Sequence, residues 1–113
     1  MRKPDDRGRL QDILDAIKRI QSYQRGSDEK KFADDLMRQD AIMRQIEIIG
    51  EAARNVSAEF QEQHQEIPWS QMIGMRNKIV HDYTNIDIPE IWKTAKNDIP
   101  QLKQMISRFL KEV

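Results

Sequence analysis

No cysteine occurs among the 113 residues. That absence excludes disulfides and thiolate metal centres and leaves the redox compartment open. There is no charge excess either, because 19 Lys and Arg balance 19 Asp and Glu. A chain that grips nucleic acid over its whole surface is normally basic, so any such contact here must come from a local cluster of Arg and Lys. No apolar run approaches the ~20 residues that cross a bilayer. The opening residues, Met1-Arg2-Lys3-Pro4-Asp5-Asp6, turn acidic without an apolar signal core, so the expected location is the cytoplasm. Glycine and proline are scarce, with four of each, and β-branched residues rarely run together, which favours helix over strand. Histidine is scarcer still, at two.

What is present fits a single small domain spanning residues 1–113, with a core large enough to fold alone. Charged residues make up 34% and hydrophobic ones 38%, so the apolar positions must be concentrated on narrow faces. Leu10, Ile13, Leu14, Ile17 and Ile20 form such a stripe, predicting a helix from about Asp6 to Arg25 with Gly26 just past its end. Ser27-Asp28-Glu29 offers an N-cap for a short helix that would turn Phe32 and Leu36 inward.

The longest periodic stretch predicts one helix from about Arg38 to His64, with Ile42, Met43, Ile46, Ile49, Ala53, Val56 and Phe60 on one face. Gly50 and Gly74 are read as points where another helix crosses closely. Pro68 opens a further helix carrying Trp69, Met72, Ile73, Met75, Ile79 and Val80, and Thr84 to Asp87 is a connector. The last segment runs from about Pro89 to Lys111, kinked near Asn97-Asp98 by Pro100. The fold class is therefore all-α: an up-and-down bundle of four main helices plus a short one. Trp69 and Trp92 belong to its core or to a dimer contact, and His64 is expected to be a solvent-exposed loop residue.

The polar end of the fourth helix, Arg76-Asn77-Lys78-Ile79-Val80-His81-Asp82-Tyr83, concentrates the chemistry. Arginine stabilises charge on a phosphate, and histidine moves protons near neutral pH. An Arg five residues before a His also arises by chance in a chain with ten arginines. The plain alternative makes Arg76 and Lys78 solvated helix residues and His81 a cation at a helix C-terminus. Five positions on a regular helix are about 140° apart, so Arg76 and His81 cannot easily share one phosphate. Asn77 and His81, at i and i+4, share a face and could bond. Arg76 and Tyr83, at i and i+7, share another. Either the helix deforms near His81, or a second copy of the motif completes the cleft in trans.

Four segments carry a wider resemblance: Arg7 to Leu14, Arg38 to Ile42, Glu47 to Arg54, and Ile67-Pro68-Trp69 through Ile73 to Asn77 and His81-Asp82-Tyr83. Together they span nearly the whole chain in order. It resembles the HEPN superfamily and, within it, the small HepT toxins encoded beside a minimal nucleotidyltransferase antitoxin. The family pattern of Arg, a polar residue, a short spacer and His is matched intact by Arg76, Asn77 and His81. The resemblance implies a homodimeric, metal-independent ribonuclease with no cofactor, whose motifs meet across the interface. It further implies that the partner nucleotidyltransferase silences the toxin by adenylylating Tyr83 to O-AMP-tyrosine.

The residues suit cleavage by the RNA's own 2′-hydroxyl. His81 would act as base or acid, Arg76 would meet the growing phosphorane charge, and Asn77 would orient the ring or a phosphate oxygen. Lys78, Arg44 and Arg38 are candidates for guiding the RNA backbone, with solvated faces the simpler reading. Asp40 and Glu47 could partner the arginine or be ordinary surface acids. Two competing functions remain: a non-catalytic nucleotide- or substrate-binding subunit of a nucleotidyltransferase, and a purely structural dimerisation bundle. A holder needs no general base, so intact Arg76 and His81 favour the enzyme.

Overall fold

The apolar stripes close into helices in the computed structural model, which describes residues 6–112; the opening residues Met1 to Asp5 lie outside it. Helix α1 (Asp6–Gln24) buries Leu10, Ile13, Leu14, Ile17 and Ile20, the stripe expected of it. Full burial of each such side chain contributes about 1.5–3 kcal/mol of transfer free energy. Beyond its end Gly26 adopts φ +80°, a conformation that side-chain-bearing residues avoid. Helix α2 (Glu29–Ala33) is capped by Asp28, whose carboxylate accepts from the Lys31 amide at 2.8 Å. Phe32 is fully buried against Trp92, with ring centroids 5.2 Å apart.

Leu36, expected inside, is 72% exposed. Asp35 caps a new helix there, accepting from the Arg38 amide at 3.0 Å, and α3 (Leu36–Arg54) begins with Leu36 turned outward. The long helix expected to reach His64 is two helices. α3 stops at Arg54, and α4 (Ala58–Gln63) follows after three residues. Asn55 Nδ2 donates to the Glu51 carbonyl at 2.9 Å, while Ser57 Oγ accepts from the Phe60 amide at 3.2 Å. Short polar side chains that bond nearby backbone compete with helix continuation. Asp6 reinforces the break from α1, accepting from Ser57 Oγ at 2.6 Å. Ala53 is buried before this break, Val56 within it, and Phe60 packs against the core beyond it, so apolar spacing runs straight through.

His64 also departs from expectation. Its ring centroid lies 4.2 Å from Phe60 and 4.3 Å from Phe109, and its carbonyl accepts from Trp69 Nε1 at 3.0 Å. It is a half-buried member of an aromatic cluster.

Helix α5 (Trp69–His81) starts after Pro68, and a 3₁₀ turn, Tyr83–Asn85, leads to α6 (Ile88–Lys93), capped by Asp87. The kink assigned to Pro100 takes the form of a π-helical turn, Thr94–Asp98, before α7 (Ile99–Glu112). Proline has no N–H for the regular ladder, and the Ile99 amide reaches back five residues to the Thr94 carbonyl. α6, the π turn and α7 thus make one bent rod. α1 packs on α3 and α7, and α3 packs on α5. The result is an all-α bundle of four rods with two short helices, α2 and α4, one more than expected. Trp69 and Trp92 are core residues, 7% and 6% exposed. Among the described residues there is no strand, and no helix is long and apolar enough to cross a membrane.

α3 and α5 cross closely at Gly50. A Cβ there would overlap Arg76 Cβ and stand 2.7 Å from the Met72 carbonyl, so only glycine lets α5 approach α3 this closely. Gly74 has no such role, because a Cβ on it would meet nothing within 4 Å. The two glycines therefore respond oppositely to alanine. Gly50→Ala lowers the urea midpoint, since overpacking against a backbone carbonyl costs about 1–3 kcal/mol and outweighs the gain in helix propensity. Gly74→Ala raises the midpoint through a stability gain of up to roughly 1 kcal/mol, the propensity difference alone.

Candidate active site

Helix α5 fixes Arg76 because Gly50 draws it against α3. The Arg76 side chain is 18% exposed, and its Nη2 lies 3.2 Å from Glu51 Oε2. Its Nη1 donates to Asn77 Oδ1 at 2.9 Å, while Nε is buried without a partner. The guanidinium is thus held on two sides by α3 and by its own neighbour.

His81 is held differently. It is the last residue of α5 and is exposed, and among the described residues its ring makes no hydrogen bond or ion pair. α5 remains α-helical through His81, so no local deformation swings the imidazole toward Arg76. The bond expected between Asn77 and His81 is replaced by the bond from Arg76, which offers Asn77 a charged donor on the adjacent residue. Val80, expected on the apolar face, is 41% exposed because the last turn of α5 runs past the core.

Tyr83 does not share a face with Arg76. The helix has ended at His81, and the 3₁₀ turn carries the phenol across to α3. There its Oη donates to Asp40 Oδ1 at 2.7 Å. That hydrogen bond, and secondarily the negative charge of Asp40, pushes the phenol above its ordinary pKa. Tyr83 is 55% exposed, so the pair faces solvent.

The carboxylate beside the arginine is Glu51. Asp40 belongs to Tyr83, and Glu47 pairs with Arg44 at 3.3 Å. Lys78 and Arg38 are paired as well, with Glu90 at 3.4 Å and with Asp35 at 3.7 Å. A cleft of about 230 Å³ gathers Arg9, Arg44 and Arg76 with Asp12, Glu47 and Glu51; His81 does not line it. Sequence reasoning missed Glu51 and Arg9. The usable signal for Glu51 was its position directly after the glycine that admits α5; for Arg9, beside a buried leucine on α1, there was none.

The family described as ribonuclease HepT-like matches residues 13–109. A protein of Thermococcus cleftensis named "Probable ribonuclease HepT" is 41% identical over 102 residues, covering 90% of this chain and 93% of its own. A chain of Methanocaldococcus jannaschii, named as a candidate RNase, is 35% identical over 106 residues, covering 94% of this chain and 97% of its own. Another candidate RNase, from Caldanaerobacter subterraneus, is 33% identical over 103 residues, with 91% and 92% covered. No solved structure gives a significant match.

Because Asp40 holds the proton on Tyr83, Asp40→Asn lowers the midpoint of the phenol's alkaline absorbance transition. Ultraviolet titration against a Tyr83→Phe reference isolates that signal; an unmoved midpoint would show that the bond is not formed in solution.

Proposed function

This chain belongs to the ribonuclease HepT-like family of the HEPN superfamily, and from that premise we propose that it is a metal-independent endoribonuclease toxin. The observation that carries the reading is the contrast within one helix: a firmly held Arg76 and an unengaged, solvent-facing His81. A general base or acid must be free to exchange protons with substrate, and His81 is. A charge stabiliser works best when already oriented, and Arg76 is.

Cleavage proceeds by attack of the RNA 2′-hydroxyl on the adjacent phosphorus. The 2′-O–P bond forms, the P–O5′ bond breaks, and a 2′,3′-cyclic phosphate remains. One imidazole takes the 2′-hydroxyl proton and another supplies a proton to the leaving 5′-oxygen. Arg76 neutralises charge on the non-bridging oxygens through N–H groups left over from Glu51 and Asn77. Within one chain the two side chains leave α5 about 140° apart. A homodimer that pairs two α5 helices solves this by bringing both motifs around one phosphate.

Lys78, Arg44 and Arg38 guide the flanking RNA backbone. Their carboxylate partners are surface pairs worth only about 0–1 kcal/mol, so a phosphate displaces them readily. A minimal nucleotidyltransferase antitoxin silences the enzyme by transferring AMP to Tyr83, two residues beyond His81. The added phosphate and bulk stand where the RNA backbone approaches, and both oppose binding.

Incubation of the purified protein with RNA in EDTA tests the reading. Cleavage is expected with cyclic phosphate ends, falling by about 100-fold or more in His81→Ala and in Arg76→Ala. Cleavage that needs added metal, or that survives His81→Ala, would contradict it.

A further inference from the structure

The contact between Tyr83 and Asp40 joins residues 43 positions apart in sequence, on two different helical elements. It is exposed, and exposed polar contacts contribute little to stability. Its length, 2.7 Å, is that of a well-formed O–H···O hydrogen bond. Among the described residues Asp40 has no other side-chain partner. The carboxylate is thus held on α3 with its charge directed at the phenol oxygen, and both groups remain open to an incoming enzyme.

We propose that Asp40 is the general base for nucleotidyl transfer to Tyr83, so that this chain, as substrate, supplies the base for its own modification. This rests on the reading of Tyr83 as the modified residue. The co-reactant is a nucleoside triphosphate brought by the nucleotidyltransferase. As Tyr83 Oη bonds to the α-phosphorus, the bond from that phosphorus to the bridging oxygen breaks and pyrophosphate leaves. The phenol proton passes to Asp40 Oδ1.

The same carboxylate has two opposed effects on the phenol. Its negative charge disfavours free phenolate, which is already rare at neutral pH for a group with an ordinary pKa of about 10. In a concerted transfer, however, the proton needs an acceptor only as the P–O bond forms, and the carboxylate is already in place. Protein kinases use an aspartate toward a substrate hydroxyl in the same sense. Once AMP is attached, the hydrogen bond is gone and a phosphodiester anion stands beside Asp40. Repulsion between the two then turns the modified ring away from α3.

The two effects predict opposite results in one experiment that needs no partner. Adenosine 5′-(4-fluorosulfonyl)benzoate forms an S–O bond with tyrosine and expels fluoride, and the phenol proton must go to a base. Labelling of Tyr83 at neutral pH is followed by peptide mass spectrometry in wild type, Asp40→Asn and Asp40→Ala. Asn keeps an oxygen that accepts from the hydroxyl but cannot take its proton. If Asp40 is the base, both variants label about tenfold or more slowly. Equal or faster labelling in Asp40→Asn, with helicity unchanged by circular dichroism, would overturn the proposal.

A parallel reaction with a minimal nucleotidyltransferase of the proposed partner class and Mg·ATP separates the two levels of the argument. AMP transfer to Tyr83 at an undiminished rate in Asp40→Asn removes the base alone. Transfer that persists in Tyr83→Phe removes the assignment of Tyr83 and the base with it.

Discussion

The structure depends most on the crossing of α3 and α5 at Gly50. Without a side chain there, the stem of Arg76 settles against the α3 backbone, and the next residue, Glu51, meets the guanidinium at 3.2 Å. That one approach determines where the arginine points and which carboxylate holds it. It also positions the end of α5, and with it the turn that returns Tyr83 to Asp40. A backbone contact in the core thus sets the geometry of two polar arrangements on the surface.

In the proposed reaction Arg76 and His81 divide the chemical work. Arg76 loses little on meeting a charged substrate because its fork is already fixed, which is the advantage of preorganised charge. His81 sits past the core on the exposed last turn of α5, where its ring is open to solvent. Neither residue can serve the other within one straight helix. The proposed chemistry on this scaffold therefore requires a symmetric pairing of two chains, with the exposed end of α5 at its centre.

The stripes of α1 and of the final rod were legible because buried aliphatic residues recur at helical spacing and tolerate little else. Gly50 was legible for a related reason, since a mid-helix glycine among aliphatics needs a cause. The break at Asn55–Ser57 was not read. Ala53, Val56 and Phe60 keep helical spacing across it, and the deciding hydrogen bonds are local apart from the two that Ser57 donates to Asp6. Leu36 failed because a second cap, Asp35, sits one residue before it. At the site, Arg76, Asn77, His81 and Tyr83 stood in one line of sequence, while their partners did not. Glu51 and Asp40 reach them only through helix packing, 25 and 43 residues away, and no local pattern encodes such distances.

The central claim is that one scissile phosphate is served by two chains. Wild-type protein at fixed concentration, equilibrated with increasing amounts of folded His81→Ala chain, tests this most directly. A shared cleft predicts that RNA cleavage falls as wild-type chains are drawn into mixed dimers holding a single imidazole. Cleavage that stays constant at a large excess of the variant, with mixed dimers shown to form, would mean that each chain acts alone.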